Sequence, residues 1–497
     1  MRLTIHVSRV NATGTASGGL RRQGSLHTTM NLLEILRKRR DEPQGYREIL
    51  HVGLPLVAGM ASSTVMQFTD RLFLSRYSVD AIAASMPASI ASMTIVMPLM
   101  GVCGYTSVLI AQYVGSQSPH RVGSALWQGI WSALAAALLL WLTWWIAPPL
   151  FALAGHDQAI QPLEVTYFRV LTTGAGFSLL GATLAGFFSG RGETRPVMVA
   201  NVTACIINVP LDYLFIFGGL GVPSLGILGA GIATVIGWIV GVVIMAWVIF
   251  TPANDALYHV RRGLCFEWNM FRRLLRFGLP SGVNFFMEMV AVAWFAFEVG
   301  AFGKEALAAS NIAFSINTLI FLPMLGLNIA LSSLVGQAMG RGRTAEAERV
   351  TMNTLHLAFV YMVPLALCIA LAAGPLMDVF TPGDLSPEAY APVRELGILL
   401  LYFIAIYSLV DAGSIVYFGA LKGAGDTLGI MYLLLGGLIF LLILPIAALK
   451  YFGMASPVSY WITFTVYIIV LAVAACIRFY RRGWHRIRVV ETAPPPS

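Results

Sequence analysis

What most constrains this chain is a repeated pattern: twelve long apolar runs, each closed by charged or turn-forming residues. They fall at 48–70, 82–112, 123–147, 164–188, 196–217, 229–250, 275–300, 307–337, 353–376, 397–420, 429–449 and 457–478. A bilayer core about 30 Å thick is crossed by roughly 20 residues of helix. Barrel strands would be about 10 residues long and alternate in polarity, which these runs do not. The pattern predicts an all-α polytopic membrane protein with twelve transmembrane helices. Composition agrees, with 57% of residues hydrophobic and only 11% charged. A soluble surface needs about a quarter of its residues charged. An ordinary cytosolic enzyme, a disordered chain and a nucleic-acid binder are therefore excluded, and the lipid bilayer is the first partner.

The basic residues orient the chain. Of 32 Lys and Arg, 26 lie before the first run, in or at the edge of even-numbered connections, or after or at the end of the last run. The other six, Arg71, Arg76, Arg169, Lys304, Arg394 and Lys450, are assigned to the odd-numbered connections and the run ends beside them, so none is expected deep inside a span. Positive residues stay on the cytoplasmic side, so both termini are expected in the cytoplasm, with the protein in the cell inner membrane. The net charge of +8 fits that placement. The Cys residues at 103, 205, 265, 368 and 476 are far apart and are expected to pack as small hydrophobes. Residues 1–29 lack the apolar core of a secretory signal. The stretch from Met30 reads as an amphipathic lead-in, and Met30 is an alternative start.

The chain repeats itself. A shift of 225 residues lays Gly53, Leu54 and Pro55 on Gly278, Leu279 and Pro280, and the stretch from Asp80 to Ser85 on that from Glu305 to Ser310. Pro98 falls on Pro323, Gly101 on Gly326, Gln112 on Gln337 and Gly115 on Gly340; an insertion then shifts the offset to 233, and Gly190 falls on Gly423. Two six-helix lobes follow, with a pseudo-symmetry axis along the membrane normal, the parallel-repeat plan of alternating-access carriers. The expected segments are a cytoplasmic tail at 1–47, an N-lobe at 48–250, a linker at 251–274, a C-lobe at 275–480 and a basic tail at 481–497. Pro98 and Pro323 sit in runs longer than a straight span needs, so kinks or strong tilts are expected there.

Beyond the opening residues of the runs, where Glu48 and Glu164 stand, five acids lie within or at the ends of the runs: Asp70, Asp212, Glu288, Glu298 and Asp411. An intramembrane carboxylate is costly and marks an ion or substrate path. With no Lys or Arg deep in the runs, its natural partner is a proton or a metal ion, and competition between that ion and a cationic substrate is a physical basis for antiport. Asn208 precedes Asp212 by one helical turn, an oxygen pair suited to a hard cation. Hydrogen bonding around Pro210 is the plainer alternative for Asp212, and an interfacial pair with Arg71 the plainer one for Asp70. Glu288 and Asp411 lie deep in their runs, whereas Glu298 is near the outer interface. Glu288 aligns with Ser63 and Asp411 with Ser178, so the scaffold repeats but the acids do not.

The stretch SGRGETRPVMVANVTACIINVPLDYLFIFG at 189–218 resembles the multidrug and toxic compound extrusion family. The segments ending at Asp70, around Glu288 and around Asp411 agree, and acids in spans 7 and 10 resemble the NorM-like branch. The resemblance implies a secondary antiporter exporting amphipathic and cationic small molecules in exchange for sodium ions or protons. It implies an N-lobe cation site at Asp70, Asn208, Asp212 and Thr234, and a C-lobe site at Glu288 and Asp411. No cofactor is expected, and no metal beyond a transient sodium ion at those acids. Substrate contacts are sought at Gln67, Met66, Phe285, Met287, Met289, Trp294, Asn311 and Asn317, where Met and aromatic side chains make an adaptable, cation-attracting lining. Asn311 is shorter than the Gln common there in the family. The working form is expected to be a monomer.

Two rivals are weighed. A lipid-linked oligosaccharide flippase of the same superfamily would need basic residues in its cavity, and the interiors of the runs supply none. A non-transport intramembrane enzyme would need a nucleophile, metal ligands or paired acids at the interface, and His356, like His51 in the first run, lies near the cytoplasmic edge of its run.

Overall fold

The computed structural model describes residues 45–154, 160–381 and 387–491. The lead-in from Met30 lies outside them. Twelve helices are long and apolar enough to cross a membrane: spans 1 to 6 are Tyr46–Tyr77, Val79–Gly115, His120–Leu153, Gln161–Arg191, Arg195–Phe217 and Ile227–Ile249. Spans 7 to 12 are Trp268–Gly300, Lys304–Gly340, Thr344–Leu371, Tyr390–Ala424, Thr427–Tyr451 and Pro457–Tyr480. Most outrun their apolar runs because helical hydrogen bonding continues past the hydrocarbon edge. Span 7 therefore absorbs the last part of the 251–274 segment, whose first part is a short helix, Pro252–Tyr258.

This extension corrects the expectation that no cation lies inside a span. Arg71 and Arg76 belong to the helix of span 1, and Arg169 is within span 4. Arg169 is satisfied by span 3, since its Nε donates to the Trp144 carbonyl at 3.1 Å and its guanidinium lies 4.7 Å from the Trp144 ring. Lys422 is in the last turn of span 10. Two cysteines also depart from expectation: Cys103 is buried, but Cys265 and Cys368 are exposed.

The long second run does not break at Pro98. Its helix ends at Gly104 and resumes at Thr106, whereas span 8 runs unbroken through Pro323. The local irregularity in span 11 is a π-helical stretch, Leu438–Ile443, just before Pro445. Proline lacks an N–H and frees an upstream carbonyl, a condition that a wider turn accommodates.

Spans 1 to 6 pack among themselves, as do spans 7 to 12, and the two lobes meet where span 1 packs on span 8 and span 2 on span 7. The seam is built from small residues that bring backbones together, and its contacts come in symmetry-related pairs. A side chain at Gly53 would meet Leu327, and one at Gly278 would meet Val102. One at Gly101 would strike the backbone of Gly282, and one at Gly326 would strike Val57. Two hydrogen bonds cross the seam in the same way: Gln112 Nε2 donates to the Gly423 carbonyl at 3.0 Å and Gln337 Nε2 to the Gly190 carbonyl at 2.9 Å. The carbonyls of Gly190 and Gly423 are among the orphan acceptors at the C-terminal ends of spans 4 and 10. Each lobe thus caps a helix of the other.

All of these contacts lie toward the end of the bundle that carries both chain termini. Further along, Phe68, Met86, Ile90 and Leu319 are exposed. The lobes are pinned at the terminal end and part at the other, which leaves a cleft. The C-terminal tail turns back onto this pinned end. Trp484 is buried and stacks on Phe479, and Arg478 holds Asp426 through two hydrogen bonds of 2.7 Å.

Candidate functional site

Each lobe carries one pair of carboxyls, buried in the N-lobe and open in the C-lobe. In the N-lobe, span 1 packs on span 5 and span 5 on span 6, which brings together Asp70, Asn208, Asp212 and Thr234. Thr234 Oγ1 donates to Asp70 Oδ2 at 3.1 Å. The Asp70 and Asp212 carboxyls lie within hydrogen-bonding reach of each other, with the Asn208 amide beside Asp212. All four residues are buried. Asp70 Oδ1, both Asp212 carboxylate oxygens and the Asn208 amide oxygen are buried without a hydrogen-bond partner among the described residues. Unsatisfied oxygens on three helical turns, turned toward one another, fit a proton shared between the carboxyls or a hard cation between them. Arg71 is exposed, while Asp70 turns into the lobe, so the interfacial-pair alternative for Asp70 does not describe this arrangement.

In the C-lobe, Glu288 on span 7 and Asp411 on span 10 face the same space and feel each other's charge. Spans 7 and 10 are not packed along their lengths, so the two carboxyls meet across a gap rather than within a helix contact. Asp411 accepts a short hydrogen bond from the Ser414 hydroxyl one turn on. Glu288 is exposed in the open cleft and Asp411 is half-buried. Glu298 stands apart: it forms an ion pair with Lys450 near the far end of its helix, which accounts for it without a transport role.

The substrate-contact candidates divide. Gln67, Phe285 and Asn311 are exposed. Met287 and Trp294 are partly buried and pack on the main core; Met289 is also partly buried. Asn317 accepts a hydrogen bond from Tyr407 at 3.1 Å, inside the C-lobe. Met66 does not fit the expectation: it is buried, with its sulfur toward Gly237 of span 6, because that glycine leaves room for it.

Four participants escaped sequence reasoning. Tyr167 is buried beside Asp70 and Asp212. Tyr467 of span 12 faces both Glu288 and Asp411, and Tyr407 faces Asp411. Tyr407 was legible in principle, one helical turn before Asp411. The fourth is Lys422, whose ammonium lies 5.2 Å from the centre of the Phe285 ring and within electrostatic reach of Glu288. The C-lobe space therefore holds a cation that the hydropathy boundaries assigned to the loop.

Comparison with known proteins agrees with this architecture. The chain is 27% identical to a probable multidrug resistance protein NorM of Thermotoga maritima, over 90% of this chain and 95% of that one. It is 27% identical to the multidrug resistance protein MdtK of Edwardsiella ictaluri, over 78% and 84%. Among solved structures, a multidrug resistance MATE family transporter of the MOP superfamily in an outward-facing conformation superposes with a TM-score of 0.80 at 20% identity, covering 91% of this chain and 99% of that one. A MOP superfamily transporter from Pyrococcus furiosus superposes with a TM-score of 0.81 at 20% identity, covering 90% and 97%. The MatE family model matches residues 55–214 and 280–449, one segment in each lobe. With both halves of the chain matched and the NorM proteins among its relatives, this twelve-span protein belongs to the MatE family, in its NorM-like branch.

Proposed function

We propose that the protein is a secondary antiporter of the cell inner membrane that exports amphipathic, cationic small molecules in exchange for sodium ions or protons. The observation that carries this reading is the placing of one carboxyl pair in each lobe of a bundle pinned at one end only. The names of the curated relatives, multidrug resistance proteins, support export of drugs. The distribution of Lys and Arg supports cytoplasmic termini, which makes the pinned end cytoplasmic and the arrangement outward-facing.

The cycle follows from charge. An incoming ion neutralises the acids while they face outward, and the bound cation leaves. After the lobes rock, the ion departs into the cytoplasm and restores a negative site for the next substrate. A membrane potential of 100 mV contributes about 2.3 kcal/mol per elementary charge, so one or two ions sustain a substantial substrate gradient. Lys422 does not turn the site into one for an anionic headgroup, because it is a single ammonium near Glu288 in a region that holds two carboxyls.

Efflux from proteoliposomes with sodium and pH gradients imposed separately tests the reading. One of the two gradients should drive export, and Glu288→Gln with Asp411→Asn should abolish coupling while the protein remains inserted. Export needing neither gradient, or wild-type export by that double variant, overturns it.

A further inference from the structure

We propose that Lys422 is a tethered counter-cation of the Glu288–Asp411 pair, which sets the charge the C-lobe site presents and makes it selective for singly charged over doubly charged cations. The proposal rests on the reading of these acids as a cation site.

The geometry is specific. Asp411 and Lys422 are eleven residues apart on one helix, on one face but about 16 Å apart along the axis, and the carboxylate whose charge Lys422 senses directly is Glu288. On span 7, Phe285 and Glu288 are three residues apart, again on one face. A last-turn lysine ordinarily lies over its own helix's terminal carbonyls or extends its stem into water. Lys422 does neither, for its ammonium sits over the Phe285 ring of another helix, 5.2 Å from the ring centre and beside Glu288. The ring face attracts the cation, and Phe285 itself is exposed in the cleft, so the ammonium stands where a ligand cation would arrive. The other groups shown near these acids, Ser414, Tyr407 and Tyr467, carry hydroxyls and add no further cation.

Charge bookkeeping gives the selectivity. Two carboxylates and one ammonium sum to a single negative charge, which one monovalent cation neutralises. A dication would leave the site positive unless Lys422 withdrew. Without the lysine charge the pair carries two negative charges and suits a dication or two monocations.

The test uses the purified full-length protein with Asp70→Asn and Asp212→Asn, so that the C-lobe acids alone are charged. Binding of tetraphenylphosphonium, a monocation, and methyl viologen, a dication, is measured by equilibrium dialysis. Lys422→Met should raise the dication-to-monocation affinity ratio by about tenfold, because a like charge is removed from beside the acids. Lys422→Gln should do the same, and Lys422→Arg should keep the wild-type ratio. An unchanged ratio in monodisperse Met and Gln variants overturns the proposal. A different failure, binding of both probes that survives Glu288→Gln with Asp411→Asn, overturns the cation-site reading and this proposal with it.

Discussion

The two crossing hydrogen bonds offer a direct handle on the conformational equilibrium. Replacing Gln112 by Met removes the amide that caps Gly423 while nearly keeping side-chain volume. Gln112 is buried and its bond is 3.0 Å long, so the Gly423 carbonyl is left unsatisfied in the pinned state. When the seam opens that carbonyl meets water, and the penalty falls on the pinned state alone. A buried unsatisfied acceptor costs about 1–3 kcal/mol, which is about a 5- to 150-fold shift of population toward the unpinned state. Gln337→Met should shift it by a similar amount, since its bond to Gly190 is the symmetry mate at 2.9 Å. The assay is pulsed electron–electron distance measurement between spin labels on cysteines introduced at His120 and Arg343, exposed on opposite lobes at the pinned end. The native cysteines are first replaced. Both single variants should gain a longer-distance population of similar weight, and the double variant more. An unchanged distribution in the double variant, with the protein monodisperse, would refute the latch; a response from one glutamine alone would refute its symmetry.

Other outcomes follow from single contacts. Gly282→Ala places a methyl against the Pro98 carbonyl, backbone that cannot swing aside, and should lengthen the same distances at a cost of about 1–3 kcal/mol. Trp461→Phe loses the 3.0 Å bond from the fully buried indole N–H to the Ser310 hydroxyl, beside the Phe314 ring; the cost is about 1–3 kcal/mol, seen as a lower apparent melting temperature without loss of insertion. Asp378 lies outside the spans, and the hydrogen bond from Arg394 holds its carboxyl below the usual carboxylate range. A depressed acid contributes stability above its unfolded value and loses it as pH falls through the folded one. Carboxyl NMR should therefore place the Asp378 midpoint below 3.8 in the parent and higher in Arg394→Gln.

Much of this was written openly in the sequence. The spans were legible because lipid enforces long apolar helices, and the seam because Gly53, Gly101, Gln112 and Gly190 recur at fixed offsets. Asp70 and Asp212 could be nominated because a buried carboxylate is too costly to be casual. Lys422 was hidden for the opposite reason: hydropathy marks where apolar residues stop, not where the helix stops or which way a flexible stem turns. The tyrosines at 167 and 467 were hidden because an aromatic in an apolar run looks the same whether its hydroxyl faces lipid, packing or a carboxyl. The break at Tyr105 rather than Pro98 belongs to packing between helices, which periodicity along one helix does not report.

The paired seam contacts have a consequence for assembly. An interface in which residue i meets j while the mate of j meets the mate of i is isologous, the kind made by two copies of one chain about a two-fold axis. The first six spans already carry both sides of it: Gly53 for the Val102 of a second copy, Val57 for its Gly101, and Gln112 for its Gly190 carbonyl. The named seam contacts thus have the pairing of a homodimer interface, with both partners carried on one chain. Asp70, Asp212, Glu288, Asp411 and Lys422 have no counterpart in the other half and so break that symmetry.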